Sequence, residues 1–380
     1  MSKQGFKIMD SDLHVQEPAD IYERYLEEPF RSRAPRKERA HVSGFETWAA
    51  GEHFFPPWTN DPEAIKANSQ LMRKKEKTPF QVKAFENNFN AETTVEAMDL
   101  EGVDVAILYR TLGGMLAQAF DVLEPEFLTA LCRAYNNWMR DYCGFNTSRL
   151  KGVAMISLGD IDGAVEEVKR AKQELGFWGV SIHPEPVYGR LLYDADVEPF
   201  WEECERQNIA VGIHGTSTGV SKDDLGRKFF GHPAGRIVAR SISFPVQLMW
   251  SLAGVITSGV IERHPRLRIA FLEGNAGWLP WFLYRLDELY HKHGYPRLEK
   301  DPSAYFQSNC FIGTDVDEYG VADVINRLGD DNIVISTDYP HFDSAFPHAM
   351  DEFLELEISG ESKRKILWDN CARYYGYTES

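Results

Sequence analysis

The chain has 380 residues, 43% of them hydrophobic and 26% charged, enough to bury a large core without disulfide or zinc staples. Asp plus Glu number 58 against 41 Lys plus Arg, and the net charge of −17 argues against nucleic acid and anionic membrane as primary partners, which both need basic patches. Five scattered cysteines without a CxxC pair read as reduced thiols of a cytoplasmic protein, the first residues carry no apolar signal core, and no apolar run is long enough to span a membrane.

Eight short apolar runs follow one another: 6–9, 103–108, 152–156, 178–182, 209–213, 267–272, 310–312 and 333–335. None alternates with polar residues over any length, as expected of strands buried on both faces in a parallel sheet. Helical patterns lie between them, at 124–141, 162–174, 197–207, 278–291 and 318–328, and Thr94 is the expected cap of an earlier helix. Eight strand–helix repeats in one 380-residue domain predict a (β/α)₈ TIM-type barrel rather than an open doubly wound sheet. The open sheet would place a glycine-rich phosphate loop after its first strand, where this chain has acids and a histidine.

Two intervals are too long for simple connections. Residues 15–93 hold Trp48, Phe55, Trp58 and other aromatics, and residues 216–244 follow the fifth strand. Loops after barrel strands project from the catalytic face, so both are expected to be lid or insertion segments, with Phe55 and Trp58 against the substrate. A packing or subunit surface is the equal alternative.

Reactive groups of such barrels sit at the carboxyl ends of the strands. There the sequence places Asp12 and His14, His183, His214, Glu273, and Asp338 with His341 three residues on. Each alone is weak, but five strand ends offering imidazole or carboxylate point to a divalent metal, one or two ions of zinc, manganese or iron. Asp12, His14, His183, His214, Glu273, Asp338 and His341 are the expected ligands. Asp338, Glu273 and His183 are the expected catalytic groups, with substrate contact as the alternative for His183. Tyr109 and Arg110 end the second strand and are expected to touch substrate, Arg110 by clamping a carboxylate or else in a structural ion pair. Asp10 is a candidate partner orienting a ligand histidine.

The segments MDSDLHV, GVSIHP, VGIHGT, ERHPRLRIAFLEGNAGWLPW, STDYPH and KILWDNCARYYGY span nearly the whole chain in one order. In these the chain resembles the amidohydrolase superfamily, specifically the amidohydrolase-related group that includes aminocarboxymuconate-semialdehyde decarboxylase. The resemblance implies a barrel with a divalent metal at its mouth, His214 and Asp338 as ligands, and Asp338 as the group that handles the proton of metal-bound water. Two positions depart from the group's pattern: Asp12 stands for the first histidine of its His-x-His pair, and Glu273 for its sixth-strand catalytic histidine.

Three acids in one small site (Asp12, Glu273 and Asp338) carry −3. One divalent ion leaves −1 and two leave +1, which a bridging hydroxide cancels, so the count favours a dinuclear site with Glu273 as bridge. Hydrolysis by a metal-activated water attacking a carbonyl of a small organic molecule is the leading expectation. Non-oxidative decarboxylation or hydration of an aromatic or unsaturated acid, and oxidation at a dinuclear iron–manganese site, are the alternatives. A homo-oligomer is expected, with a hetro-oligomeric role beside a related chain as the lesser alternative, that is, a hetero-oligomer.

Overall fold

The computed structural model describes residues 3–39, 46–55, 78–119, 121–216, 235–293, 298–341 and 344–378. Eight strands form one parallel sheet: β1 (Met9–His14), β5 (Val105–Tyr109), β6 (Leu150–Met155), β7 (Gly179–Ile182), β8 (Ala210–His214), β9 (Ile269–Leu272), β10 (Cys310–Asp315) and β11 (Ile333–Ser336). They lie in that order, each strand beside its neighbour in sequence, and β11 returns next to β1 to give a nearly closed barrel. Nearly every residue of these strands is buried, which is why they read as unbroken apolar runs.

The seam between β1 and β11 is made differently from the other junctions. Ser11 donates its hydroxyl to the Ile335 carbonyl at 2.6 Å, and Ser336 donates to the Asp12 carbonyl at 2.9 Å. Asp10 accepts from the Thr337 N–H at 3.3 Å and from the Thr337 hydroxyl, and the His14 N–H donates to the Tyr339 carbonyl at 2.8 Å. Side chains thus do much of the joining that a backbone ladder does elsewhere. The β1–β5 register also shifts between Asp10 and Leu13, an irregularity of the kind that re-aims side chains beside a site.

Apolar side chains of the strands, among them Met9, Ile107, Val153, Leu272, Phe311 and Val334, pack with Cys371, Tyr374 and Tyr375 of the helix Asn370–Tyr375. Tyr375 donates its hydroxyl to the Ser11 carbonyl at 3.0 Å, so this helix closes the barrel floor. A larger apolar cluster unites the outer strand faces with the surrounding helices. Those helices include Pro125–Cys143, Ile161–Gln173, Glu198–Gln207, Leu279–His293 and Val321–Leu328, each within three residues of its expected start. The first helix before β5 differs: it is Ala91–Glu101, capped by Asn90 accepting from the Thr93 N–H, so Thr94 lies inside it. Here an Asn one turn earlier supplies the capping oxygen.

The long segments also take definite form. Within 15–93, β2 (Arg36–Arg39), β3 (Glu46–Ala50) and β4 (His53–Phe55) make an antiparallel sheet. Trp48 and Phe55 are cross-strand partners, both buried, with Trp48 edge-on to Tyr22. Phe55 is thus buried in the core of the insertion. Trp58 and most of 216–244 lie outside the described residues, but residues 235–244 belong to the helix Gly235–Thr257 rather than to a loop. All five cysteines are free and buried, and among the described residues no helix is long and apolar enough to cross a membrane.

Candidate metal centre

The barrel brings Asp12, His14, His214, Glu273, Asp338 and His341 to one mouth. His14 Nε2 lies 3.7 Å from Asp12 Oδ1, 3.5 Å from Asp338 Oδ1 and 3.9 Å from Glu273 Oε2. His214 Nε2 lies 3.3 Å from Asp12 Oδ2 and 3.1 Å from Glu273 Oε2. The rings of His14 and His214 meet edge to face, and His341 lies 4.1 Å from His14 by ring centre with its Nδ1 on Asp338. Two overlapping triads of donor atoms, each drawn together within 4.8 Å, result: Asp12–His14–His214 and His14–Asp338–His341.

Burial defines the first triad. Both Asp12 carboxylate oxygens, His14 Nε2 and His214 Nε2 are shut off from solvent without a hydrogen-bond partner. Buried polar atoms left bare are costly, roughly 1–3 kcal/mol each, so four facing one another mark a place for a cation. The other ring nitrogens fix the tautomers. His14 Nδ1 is 2.5 Å from the Arg110 carbonyl, and His214 Nδ1 is 2.9 Å from the Gly215 carbonyl. A carbonyl only accepts, so His14 Nδ1 carries the hydrogen and its Nε2 keeps a lone pair for the site, while His214 Nδ1 lies between the Gly215 carbonyl and the Arg110 guanidinium at 3.3 Å. Burial, with His341 and His214 nearby, holds His14 far below the usual imidazole range, hence neutral. For His214 burial also works downward, but Asp12 and Glu273 outweigh it and raise the group.

Glu273 and Asp338 both take left-handed backbone angles, φ +59° and +56°, which non-glycine residues rarely adopt. Such outliers cost on the order of 1–3 kcal/mol and persist where surrounding structure holds them, commonly at functional sites. Burial pushes Glu273 up to about 7, opposed by His214 and helped by Asp338. Its side chain is 19% exposed, so it reaches the open mouth while Asp12 does not.

Arg110 and Tyr109 are placed elsewhere than expected. The Arg110 guanidinium is wholly buried: Nε donates to Gln118 Oε1 at 2.7 Å, and Nη2 donates to the His214 carbonyl at 3.3 Å. Nη1 lies 3.3 Å from His214 Nδ1. Its donors thus serve Gln118 and the backbone and ring of His214. Tyr109 is also fully buried, lies parallel to the His214 ring at 5.4 Å, and shares a hydrogen bond with Tyr375 at 2.9 Å, making it floor. Gly212 is required there: a Cβ on it would fall 2.3 Å from the Tyr109 oxygen. His183 ends β7, beside His214 on β8, and stands in neither triad. Asp10 serves Thr337 and the Asp12 N–H rather than a histidine ring.

The sequence reading missed four residues. Asp315, at the end of β10, accepts from Asn275 at 2.8 Å, and burial together with Glu318 and Asp338 pushes it up to about 7. It was legible in principle as one more strand-end acid, but the expected strand stopped at 312. Glu17 binds the start of the helix Leu112–Ala119, accepting from the N–H groups of Thr111 at 2.9 Å, Gly113 at 3.1 Å and Gly114 at 3.0 Å. Gln118 of that helix holds Arg110 and donates to the Ser181 carbonyl at 2.6 Å. The Glu185 N–H points at His183. These last three act through contacts distant in sequence or through the backbone, and no residue pattern announces them.

The amidohydrolase family model matches residues 53–377. Over 297 residues the chain is 27% identical to gamma-resorcylate decarboxylase of Rhizobium sp., covering 75% of this chain and 86% of that protein. It is 24% identical over 301 residues to 2-amino-3-carboxymuconate-6-semialdehyde decarboxylase of Dictyostelium discoideum, covering 76% and 77% of the two chains. A dihydroxybenzoic acid decarboxylase of Polaromonas sp. JS666, solved with bound manganese and the inhibitor 2-nitroresorcinol, shares the fold at a TM-score of 0.64 and 19% identity, with 100% of this chain and 98% of that one covered. The matched model spans most of the chain, from β4 through the last helix, and on that ground this chain belongs to the amidohydrolase family.

Proposed function

We propose that the protein is a metal-dependent, non-oxidative decarboxylase of a hydroxylated aromatic acid. The observation that carries the reading is the set of four buried, unpartnered donor atoms of Asp12, His14 and His214. The reaction is suggested by the relatives, which are decarboxylases, and on that ground decarboxylation takes precedence over the hydrolysis favoured by residue type alone.

The donor set suits a divalent cation: two imidazoles with Nε2 atoms turned to the site and one buried carboxylate, with Asp338 3.5 Å from His14 as a fourth. Manganese, found in the Polaromonas decarboxylase, is the ion we would load first. Arg110 changes the charge count that favoured two ions. Asp12, Glu273 and Asp338 bring −3 and the buried guanidinium +1, so one divalent ion leaves the site neutral. With Glu273 protonated the total becomes +1, which a monocarboxylate substrate cancels.

When bound, the ion supplies Lewis acidity that orients the acid's oxygen atoms and draws charge from its ring. Glu273 carries the proton. Poised at about 7 and open to the mouth, it delivers its hydrogen to the ring carbon that bears the carboxylate. The carbon–carbon bond then breaks, carbon dioxide leaves, the bonding pair returns to the ring, and a solvent proton restores Glu273. Arg110 and Tyr109 hold His214 from below and keep water from its Nδ1 side.

The test is carbon dioxide release from gamma-resorcylate and a panel of other hydroxylated benzoates by manganese-loaded protein, with metal per chain measured in parallel. Release that falls at least 100-fold in Glu273→Gln is expected. Protein holding about one ion per chain that releases none from any acid of the panel would overturn the reading.

A further inference from the structure

The three buried histidines at strand ends of the barrel, His14 at the end of β1, His183 after β7 and His214 on the adjoining β8, are not equivalent, and the difference lies in what each Nδ1 meets. For His14 it is the Arg110 carbonyl oxygen at 2.5 Å, and for His214 the Gly215 carbonyl oxygen at 2.9 Å is closer than the Arg110 guanidinium at 3.3 Å. For His183 it is the backbone N–H of Glu185, at 3.2 Å, while the Glu185 carbonyl stands off at 3.5 Å. An N–H can only donate, so His183 Nδ1 accepts and its hydrogen resides on Nε2. That Nε2 is buried and has no hydrogen-bond partner. His183 therefore presents an N–H where its neighbours present lone pairs, and an N–H cannot ligate a cation.

We infer that His183 is a substrate-positioning donor and not a metal ligand: its Nε2–H receives a carboxylate oxygen of the acid. Two further observations support the assignment. The ring follows Ile182, which pairs with Ile213 beside His214, so it stands next to the ligand cluster. A bare buried donor is costly in the free protein and is satisfied when an anionic oxygen arrives, which makes it a device for discriminating acids from their decarboxylated products. The carboxylate as partner rests on the decarboxylase reading; the exclusion of His183 from the ligand set rests on the geometry alone.

The experiment compares wild type, His183→Ala and His183→Gln, each loaded with manganese. Metal per chain is read by elemental analysis, and binding of gamma-resorcylate and of resorcinol, which lacks the carboxylate, by calorimetry. The expected result is metal content within error of wild type in both variants and gamma-resorcylate binding weakened ~10- to 100-fold in His183→Ala, the span of a buried hydrogen bond to a charged group. Resorcinol binding should change less than about 3-fold, and the amide of His183→Gln should restore part of the loss. Metal content falling with His183→Ala would overturn the proposal by making the residue a ligand. Equal weakening of both compounds, or of neither, would overturn the carboxylate assignment. Wild-type protein that holds metal but binds no benzoate would overturn the decarboxylase reading and the carboxylate partner together, while metal retention in His183→Ala would still uphold the exclusion from the ligand set.

Discussion

Replacing Glu17 by Gln should loosen the metal site from two contacts away. The carboxylate is buried and accepts three N–H groups at the start of the helix Leu112–Ala119, where a helix has no carbonyls of its own to offer them. Oε1 takes Thr111 and Gly114, and Oε2 takes Gly113. The best placement of an amide keeps its oxygen at the first position and turns its NH₂ toward the Gly113 N–H. One charge-assisted bond is lost, the other two weaken, and two donors face each other in a buried place. At roughly 1.5–3 kcal/mol for a hydrogen bond to a charged group, the variant should be destabilised by about 2–3 kcal/mol. The helix carries Gln118, which holds Arg110, whose carbonyl in turn fixes the His14 tautomer. Manganese affinity should therefore fall along with stability. Urea unfolding of the manganese-loaded protein, followed by tryptophan fluorescence, measures the first, and calorimetric titration the second. A loss below about 0.5 kcal/mol would refute the claim that Glu17 anchors this helix.

Other outcomes follow from the same geometry. Asp12→Asn should reduce bound manganese from near one ion per chain to under about 0.1 at equal free metal with secondary structure unchanged, by elemental analysis and circular dichroism. Full occupancy would remove Asp12 from the ligand set. Gly212→Ala drives a methyl group into the Tyr109 hydroxyl and should cost about 1–3 kcal/mol in thermal unfolding together with weaker metal binding. An unperturbed variant would mean that the floor yields easily. Adding manganese at 100 times its dissociation constant should stabilise the fold by about 2.7 kcal/mol, seen as a rise of several degrees in Tm. No rise would show that the cation binds folded and unfolded chains alike.

The barrel was legible because its strands are apolar on both faces and each run is bounded by polar residues. The exception is instructive. The first strand was expected at 6–9, yet it runs Met9–His14 through Asp10, Ser11 and Asp12, all buried. Asp10 and Ser11 are tolerated because seam partners satisfy them, and Asp12 faces the histidines of the candidate metal site; no periodicity in the sequence reveals such partners. The strand-end rule located His14, His214, Glu273 and Asp338, since position along the chain decides which end of a barrel a residue occupies. It could not say whether a side chain turns to the mouth or beneath it, which is why Arg110 and Tyr109 were expected at the substrate. Nor could it separate His183 from His214, whose difference is one backbone N–H. Aromatic content drew attention to Phe55, but an aromatic ring serves a core as well as a pocket.

The seam between β1 and β11 gives the cation a second consequence. Asp12 and His14 come from one side of that junction and Asp338 from the other, so an ion held among them is a clasp across the one place where side chains stand in for a ladder. With an ion bound there, its loss would unfasten this join, and exposure of β1 and β11 to proteases would report the metal supply. The protein's lifetime, and not only its turnover, would then follow the availability of the metal.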